Sequence, residues 1–168
     1  MKNLTASQLE LSAAQFLDAP PPGEAVIAFP AEGSDSGRER LYLSIGVGDA
    51  AWVGSFELGH MSVGSVNMMP DDKHLFISAK GAGYIIDART HALVEQIGTD
   101  VPFVWMDAAR TLLMVDHNGK SLGMFGRTGR LWKTGTISAG GFREITLEDT
   151  IVAGEAREDR RRRGSVFR

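Results

Sequence analysis

The stretch from Ser65 to Ser138 repeats itself. "VNMM", "PDDK", "HLFIS", "AKGAG", "YIID", "ARTH" and "ALVEQI" are followed by "VPFVWM", "DAAR", "TLLMVD", "HNGK", "SLGMF", "GRTG" and "RLWKTGTIS". Each series consists of four short apolar runs, each closed by a turn cluster. Lys73-His74-Leu75 falls on Arg110-Thr111-Leu112, and Arg89-Thr90 falls on Arg127-Thr128, an offset of 37 to 38 residues. Short runs of this kind, bounded by Gly, Asn, Asp and Pro, read as strands. A period of about 40 residues with four strands per period predicts β-propeller blades or an equivalent meander.

The flanks extend the pattern less regularly. "GFREITL", "EDT" and "IVAGEA" begin another copy, which breaks up in "REDRRRRG" and ends with "SVFR". "EAVIAF", "LYLSIGV" and "AAWVGSFEL" make a degenerate first repeat, interrupted by the polar loop "PAEGSDSGRER". Leu9, Leu11, Ala14 and Phe16 form a weak helical pattern, or a strand at Gln8–Leu11. Pro20, Pro21 and Pro22 end it, because a proline run cannot continue a helix.

The expected fold is therefore all-β: an antiparallel meander of about ten to twelve strands, a partial or small propeller, with a short N-terminal helix or strand. The expected organisation is a single β-rich domain over residues 1–168. Residues 1–22 form an arm, 24–58 the degenerate first repeat, 65–98 and 101–138 the two clear repeats, and 141–168 a partial last one. Propellers normally close with at least about four blades. Closure here would require the strand at Glu24–Phe29 to pair with the C-terminal blade, or open edges to pair between two chains. The segment Leu4–Leu17 is expected to cover an edge. Leu75, Ile77, Ile85, Leu112, Met114, Phe125 and Trp132 are the expected core, from alternate positions of short strands.

Composition narrows the function classes. The formal net charge is −3, with no basic signature for nucleic acid, and there is no Cys, which removes disulfides, thiol nucleophiles and Cys-ligated zinc. The start, "MKNLTASQLELSAAQFLDAPPPGEA", lacks the apolar centre of a secretory signal. No run approaches the roughly 18 apolar residues of a membrane helix. The expectation is a cytoplasmic, soluble protein with no membrane partner.

The motifs that look chemical resolve into turns. "FGRTGRLWKTG" (125–135) has the glycines and cations of a phosphate loop, but "GRTGR" occupies the place that "ARTH" holds in the preceding repeat. A phosphate loop needs Gly, four residues, then Gly-Lys-Ser/Thr opening a helix. Around Gly119-Lys120-Ser121 the first Gly is replaced by Met114. His60, His74, His91 and His117 are too scattered for a local metal motif, and His74 and His91 read as solvent-facing turn residues. "DHNG" (116–119) has the composition of a tight turn. "GSDSG" (33–37) has Asp35 where a nucleophile elbow needs Ser. Glu144, Glu148, Asp149, Glu155, Glu158 and Asp159 read as solvated faces and turns, and Arg160–Arg163 as a solvated loop in a nearly neutral neighbourhood. No catalytic residue, metal site or cofactor is expected. Phe76, Tyr84, Phe103, Phe125, Trp132 and Phe142 read as core. Trp52 and Trp105 read as core or as partner-binding anchors, since Trp is a frequent hot-spot residue.

The segments "MMPDDKHLFISAKGAGYIID", "VDHNGKSLGMFGRTGRLWKTGTIS" and "GGFREITLEDTIVAGEA" resemble bacterial WD40/YVTN-like propeller-repeat proteins of unassigned function, most specifically in the run Leu131–Arg143. The resemblance covers a little over half of the chain, Val66 to Ala156. It departs at the end, where one or two more strands would be expected after "GEA". Proteins of this kind are similar to immunity proteins found beside secreted polymorphic toxins. The resemblance thus implies a non-enzymatic protein-binding module, in its most specific form a cytoplasmic immunity protein that blocks a toxin. An acidic balance suits a basic partner, because complementary charge speeds association. The expected partner contacts are Asp71, Asp72, Asp107, Glu148 and Asp149, with Trp52 and Trp105. Two other readings stay open: a small hydrolase with His and carboxylate residues on one face, and a domain that dimerises through a sheet edge.

Overall fold

The computed structural model describes residues 14–30, 39–46, 51–62, 64–148, 151–156 and 165–167. All regular structure among them is strand. There are fifteen: β1 (Ala14–Leu17), β2 (Val26–Phe29), β3 (Arg40–Ile45), β4 (Trp52–Glu57), β5 (Ser65–Met68), β6 (His74–Ala79), β7 (Ala82–Asp87), β8 (Leu93–Gln96), β9 (Val104–Met106), β10 (Leu112–His117), β11 (Ser121–Gly126), β12 (Gly129–Lys133), β13 (Phe142–Glu148), β14 (Ile151–Ala156) and β15 (Ser165–Phe167). They make four sheets, ordered β1-β3-β4-β2, β5-β6-β7-β8, β9-β10-β11-β12 and β13-β14-β15, here sheets 1 to 4. The fold is all-β and propeller-like in its repetition of four-stranded units. The strand count exceeds ten to twelve because short pieces such as β1 and β15 also pair. No helix among the described residues is long and apolar enough to cross a membrane.

The repeat is visible in the backbone. Asp72, Lys80 and Gly81 have positive φ (55°, 47° and 98°), and so do Arg110, Asn118 and Gly119 (56°, 57° and 67°), each 38 residues further on. Lys80 and Gly81 form a two-residue hairpin link, with Ala79 opposite Ala82. Both residues are left-handed, as the twist of the flanking strands demands. The next repeat has one residue more at this place: His117 lies opposite Ser121, so Lys120 is an insertion. "GRTG" is also a hairpin, with Gly126 opposite Gly129 and Arg127-Thr128 between them.

The chain divides into two compact units. The first contains the described parts of 1–68 and 72–99; the second contains 69–71 and the described parts of 100–168. In the first unit, sheet 1 packs on sheet 2 through Phe29, Leu43, Phe56, Leu75, Ile77, Tyr84 and Ile86. Phe56 stacks on Phe29 (ring centroids 4.9 Å apart) and tilts against Tyr84 (5.3 Å). A polar core network accompanies it. Arg40 donates from Nε to Ser55 Oγ (2.6 Å) and from Nη2 to the carbonyls of Phe29 and Ser55 (both 2.9 Å), and its Nη1 lies 3.6 Å from Glu57 Oε1. Tyr84 Oη donates to the Glu57 carbonyl at 3.0 Å. Burial, and then the Glu57 charge, push the Tyr84 phenol up to about 12, so it stays a donor. Sheet 1 is not a simple meander: β2 runs parallel to β4, with Val26 opposite Val53. The strand read at Glu24–Phe29 thus joins the first sheet and not the C-terminal blade. The pieces expected at Gln8–Leu11 and Arg160–Arg163, and most of Leu4–Leu17, lie outside the described residues; Ala14–Leu17 pairs with β3.

In the second unit, sheet 3 packs on sheet 4. Met114, Leu122 and Met124 meet Phe142, Val152 and Ala156, and Trp105, Leu112, Trp132 and Ile145 pack around them. Of the expected core, Leu75, Ile77, Ile85, Met114 and Phe125 are buried. Leu112 and Trp132 are half-buried, because they stand at a strand start and on the outer strand.

Candidate functional site

Aspartates at strand ends set the loop geometry throughout. After β7, Asp87 Oδ1 accepts from the backbone N–H groups of Thr90 (2.7 Å) and Arg89 (3.0 Å). After β9, Asp107 Oδ1 accepts from Leu112 N–H (2.6 Å) and Oδ2 from Thr111 Oγ1 (2.8 Å). Burial raises the Asp107 carboxyl, but the donors of Leu112, Thr111 and Ala109 together hold it below its ordinary value. Asp107 therefore remains a full negative charge at neutral pH. After β10, Asp116 Oδ1 accepts from Gly119 N–H at 2.8 Å.

Asp116 differs from the other two by being buried, at 0% exposure. Among the described residues no donor reaches its Oδ2. Burial pushes its carboxyl up to about 7, against the hydrogen bond from Gly119. The "DHNG" stretch is thus only in part a turn: Asp116 and His117 end β10 and are buried, and the link begins at Asn118.

The register shows what surrounds Asp116. Met114 lies opposite Trp105 on one side and Met124 on the other, and Met124 lies opposite Trp132. A row Trp105–Met114–Met124–Trp132 therefore crosses sheet 3, with soft thioethers between two indoles. The next row on the same face is Phe103–Asp116–Leu122–Thr134. Asp116 N–H donates to the Phe103 carbonyl (3.1 Å), Asp116 lies opposite Leu122, and Thr134 N–H donates to the Leu122 carbonyl (2.9 Å). The two rows are adjacent because residues two apart on a strand share a face.

At the β9 end of these rows the aromatics reach solvent. Phe103 is 45% exposed, which corrects its reading as core. Its ring tilts against half-buried Trp105, with centroids 5.1 Å apart. Phe103, Trp105 and Asp107 occupy alternate positions along one short edge strand and its ends. Asp100 stands three residues before Phe103, and its N–H is held by Asn118 Oδ1 at 2.9 Å. No Lys or Arg occurs between Arg89 and Arg110. The face therefore combines exposed Phe103 and half-buried Trp105 with the ionised Asp107 at the end of the same strand.

The other expected contacts are dispersed. Trp52 belongs to the first unit and stacks on His91, which is half-buried and does not stand in solvent. Asp71 and Asp72 lie in the β5–β6 link, half-buried and exposed respectively. Glu148 ends β13, and Asp149 lies outside the described residues. Trp105 and Asp107 are thus brought onto one strand with Phe103, the residue that the sequence reading missed. The alternation in "VPFVWM" does put Phe103 and Trp105 on one face. Among the described residues, no group of three or more His, Cys, Asp or Glu is gathered as a metal site would require.

No protein-family model matches the chain, and no curated protein matches it. Among solved structures it is similar to the β-propeller domain of Cps50 (Swd1) from Myceliophteria thermophila, at 14% identity and a TM-score of 0.39. The match covers 77% of this chain and 54% of that one, so the chain spans about half the length of the propeller domain it matches.

Proposed function

We propose that this chain is a protein-binding module that works by docking and not by catalysis, and that its partner is basic. The observation that carries the reading is the pair of exposed Phe103 and half-buried Trp105 along an edge strand followed by the ionised Asp107. Aromatic anchors rimmed by charge are the usual energetic centres of protein interfaces, and acidic groups nearby raise the association rate of a basic partner. The carboxylates of Asp87 and Asp107 are committed to backbone and hydroxyl donors in turns, which supports a positional use and not acid–base chemistry. In its most specific form the module is a bacterial, cytoplasmic immunity protein that neutralises a secreted toxin. The sequence resemblance motivates that form, and Asp71, Asp72, Glu148, Asp149 and Trp52 remain its further candidate contacts.

The test is co-purification with the product of the neighbouring gene, followed by association kinetics at low and high salt. A tight complex is expected. Charge reversal at Asp107, or at Asp71 with Asp72, should slow association and flatten its salt dependence. A neighbouring product that neither co-purifies nor is inhibited would remove the immunity form. Kinetics indifferent to every one of these charges would remove the basic-partner form.

A second reading rests on β8. It is an edge strand of sheet 2, and Leu93 and Val94 are 38% and 54% exposed. Unguarded apolar edges invite strand pairing, so self-association through β8 is the competing use. Light scattering over a range of concentrations, with Val94→Lys as the control, separates it from hetero-binding.

A further inference from the structure

We propose that Asp116 is the seat for one cationic side chain, a Lys or Arg of the partner, with the Phe103–Trp105 pair forming the wall of that seat. This rests on the protein-binding reading above and gives it a chemistry.

The geometry has three parts. One step beyond the β9–β10 ladder Asp116 N–H donates to the Phe103 carbonyl, and its neighbours on that face are Leu122 and Met114, which pack against Phe142, Val152 and Ala156 of sheet 4. One carboxyl oxygen is satisfied by Gly119, while no donor among the described residues reaches the other. A buried acceptor without a donor is costly, and native proteins keep few of them without a reason. The cross-strand neighbour of Asp116, Phe103, is 45% exposed beside an edge strand, so the proposed seat requires that Phe103 turn aside to admit the cation to Oδ2.

The missing donor defines the ligand. A guanidinium or ammonium group brings N–H donors and a positive charge, and charge-assisted bonds to a carboxylate are the stronger kind. The same group can lie against the faces of Phe103 and Trp105, where aromatic rings attract cations. Neutral donors would satisfy Oδ2 but gain nothing from the rings or from Asp107. The raised carboxyl of Asp116 agrees: without a cation burial lets it hold its proton up to about neutral pH, and an arriving cation favours the charged form. Perturbed groups of this sort mark functional positions more often than ordinary ones.

The experiment uses the whole chain and two small probes, N-acetyl-argininamide and its neutral isostere N-acetyl-citrullinamide. The Asp116 side-chain carboxyl resonance and the indole fluorescence are followed during titration. The arginine probe should shift the carboxyl resonance and bind at least about tenfold more tightly than the citrulline probe. Asp116→Asn should abolish the preference while melting no lower than the wild type. Phe103→Ala, at an exposed position, should weaken the arginine probe about fivefold without loss of structure. Equal responses to the two probes, or an arginine response that survives in Asp116→Asn, would overturn the seat. That result would leave the module reading standing, since co-purification tests it separately. A failed co-purification with a positive probe result would do the reverse.

Discussion

The indole of Trp52 and the imidazole of His91 stack nearly parallel, with centroids 4.5 Å apart and planes 19° from each other. Trp52 stands on β4 of sheet 1, and His91 sits in the β7–β8 link of sheet 2 with φ 58°. The pair therefore fastens a turn of one sheet to a strand of the next. Trp52 also meets the edge of Phe29 at 6.2 Å. Trp52→Ala should cost the first unit about 2–3 kcal/mol, less than a wholly buried Trp because the indole is half-buried. His91→Ala should cost about 1 kcal/mol, and the double variant less than the sum. Additive losses in denaturant midpoints would show that the stack has no coupling energy.

Asp116 makes the second unit sensitive to pH. Its folded carboxyl is raised to about 7, whereas an ordinary Asp lies at 3.8. The folded state holds this proton more tightly, so the stability it confers is present below the ordinary value and is lost as pH rises through about 7. Asp116→Asn should remove that loss and gain on the order of 2–4 kcal/mol above neutrality. Unfolding followed through Trp105 and Trp132 in a Trp52→Phe background should show a midpoint that falls between about pH 5 and about pH 8 in the parent and stays level in the Asn variant. A parent midpoint that stays level over that range would contradict the raised carboxyl.

Gly59 admits no side chain. A Cβ there would collide with the backbone at Thr99 O and Ala82 N. The chain passes close because Gly59 N–H donates to Ala79 O (2.9 Å) and Met61 N–H to Lys80 O (2.7 Å), seating the segment after β4 on the β6–β7 link. Gly59→Ala should destabilise by about 1–3 kcal/mol, since neither obstacle is a flexible side-chain end. An alanine variant with unchanged thermal midpoint would mean that the segment is free to move away.

Asp107 should separate shape from charge. Asp107→Asn keeps an acceptor for Leu112 N–H or Thr111 Oγ1 and should cost well under 1 kcal/mol, whereas Asp107→Ala loses both bonds and should cost about 1 kcal/mol. The low carboxyl value has a matching pH signature: the stability contributed by ionised Asp107 is present above the ordinary value and fades as pH falls through the folded value. An Asn variant as weak as the Ala variant would show that the charge, not the turn bonds, is what matters.

The repeat carried most of what the sequence revealed about fold. Its turn residues are those whose backbone is left-handed, so Lys80-Gly81 and Asn118-Gly119 announced the hairpins through local chemistry. Parallel pairing of β2 with β4 was invisible, because "VIAF" has the same composition whichever neighbour it meets. Alternation also misjudged burial. β6, β7, β10 and β11 are buried on both faces over most of their length, and so they read as continuous apolar runs. The site was half legible. Trp105 and Asp107 were named from residue type, but the partnership of Phe103 with Asp116 depends on the pairing register of β9 with β10, which residue type does not reveal.

The strand order β1-β3-β4-β2 has a bearing on the sequence of events during folding. Sheets 2 and 3 close through neighbours in the chain, as Ala79 with Ala82, whereas sheet 1 must bring Ala14 to Ile45 and Val26 to Val53. Distant pairings carry a larger loop-closure cost and form later. The first unit should therefore pass through a stage in which β3–β4 and sheet 2 are formed while Leu43, Phe56, Tyr84 and Ile86 still await Phe29 of β2. That interval is when the chain is most exposed to aggregation. Pulse-labelled amide exchange should find β6 and β7 protected before β1 and β2, and simultaneous protection would mean that the unit assembles in a single step.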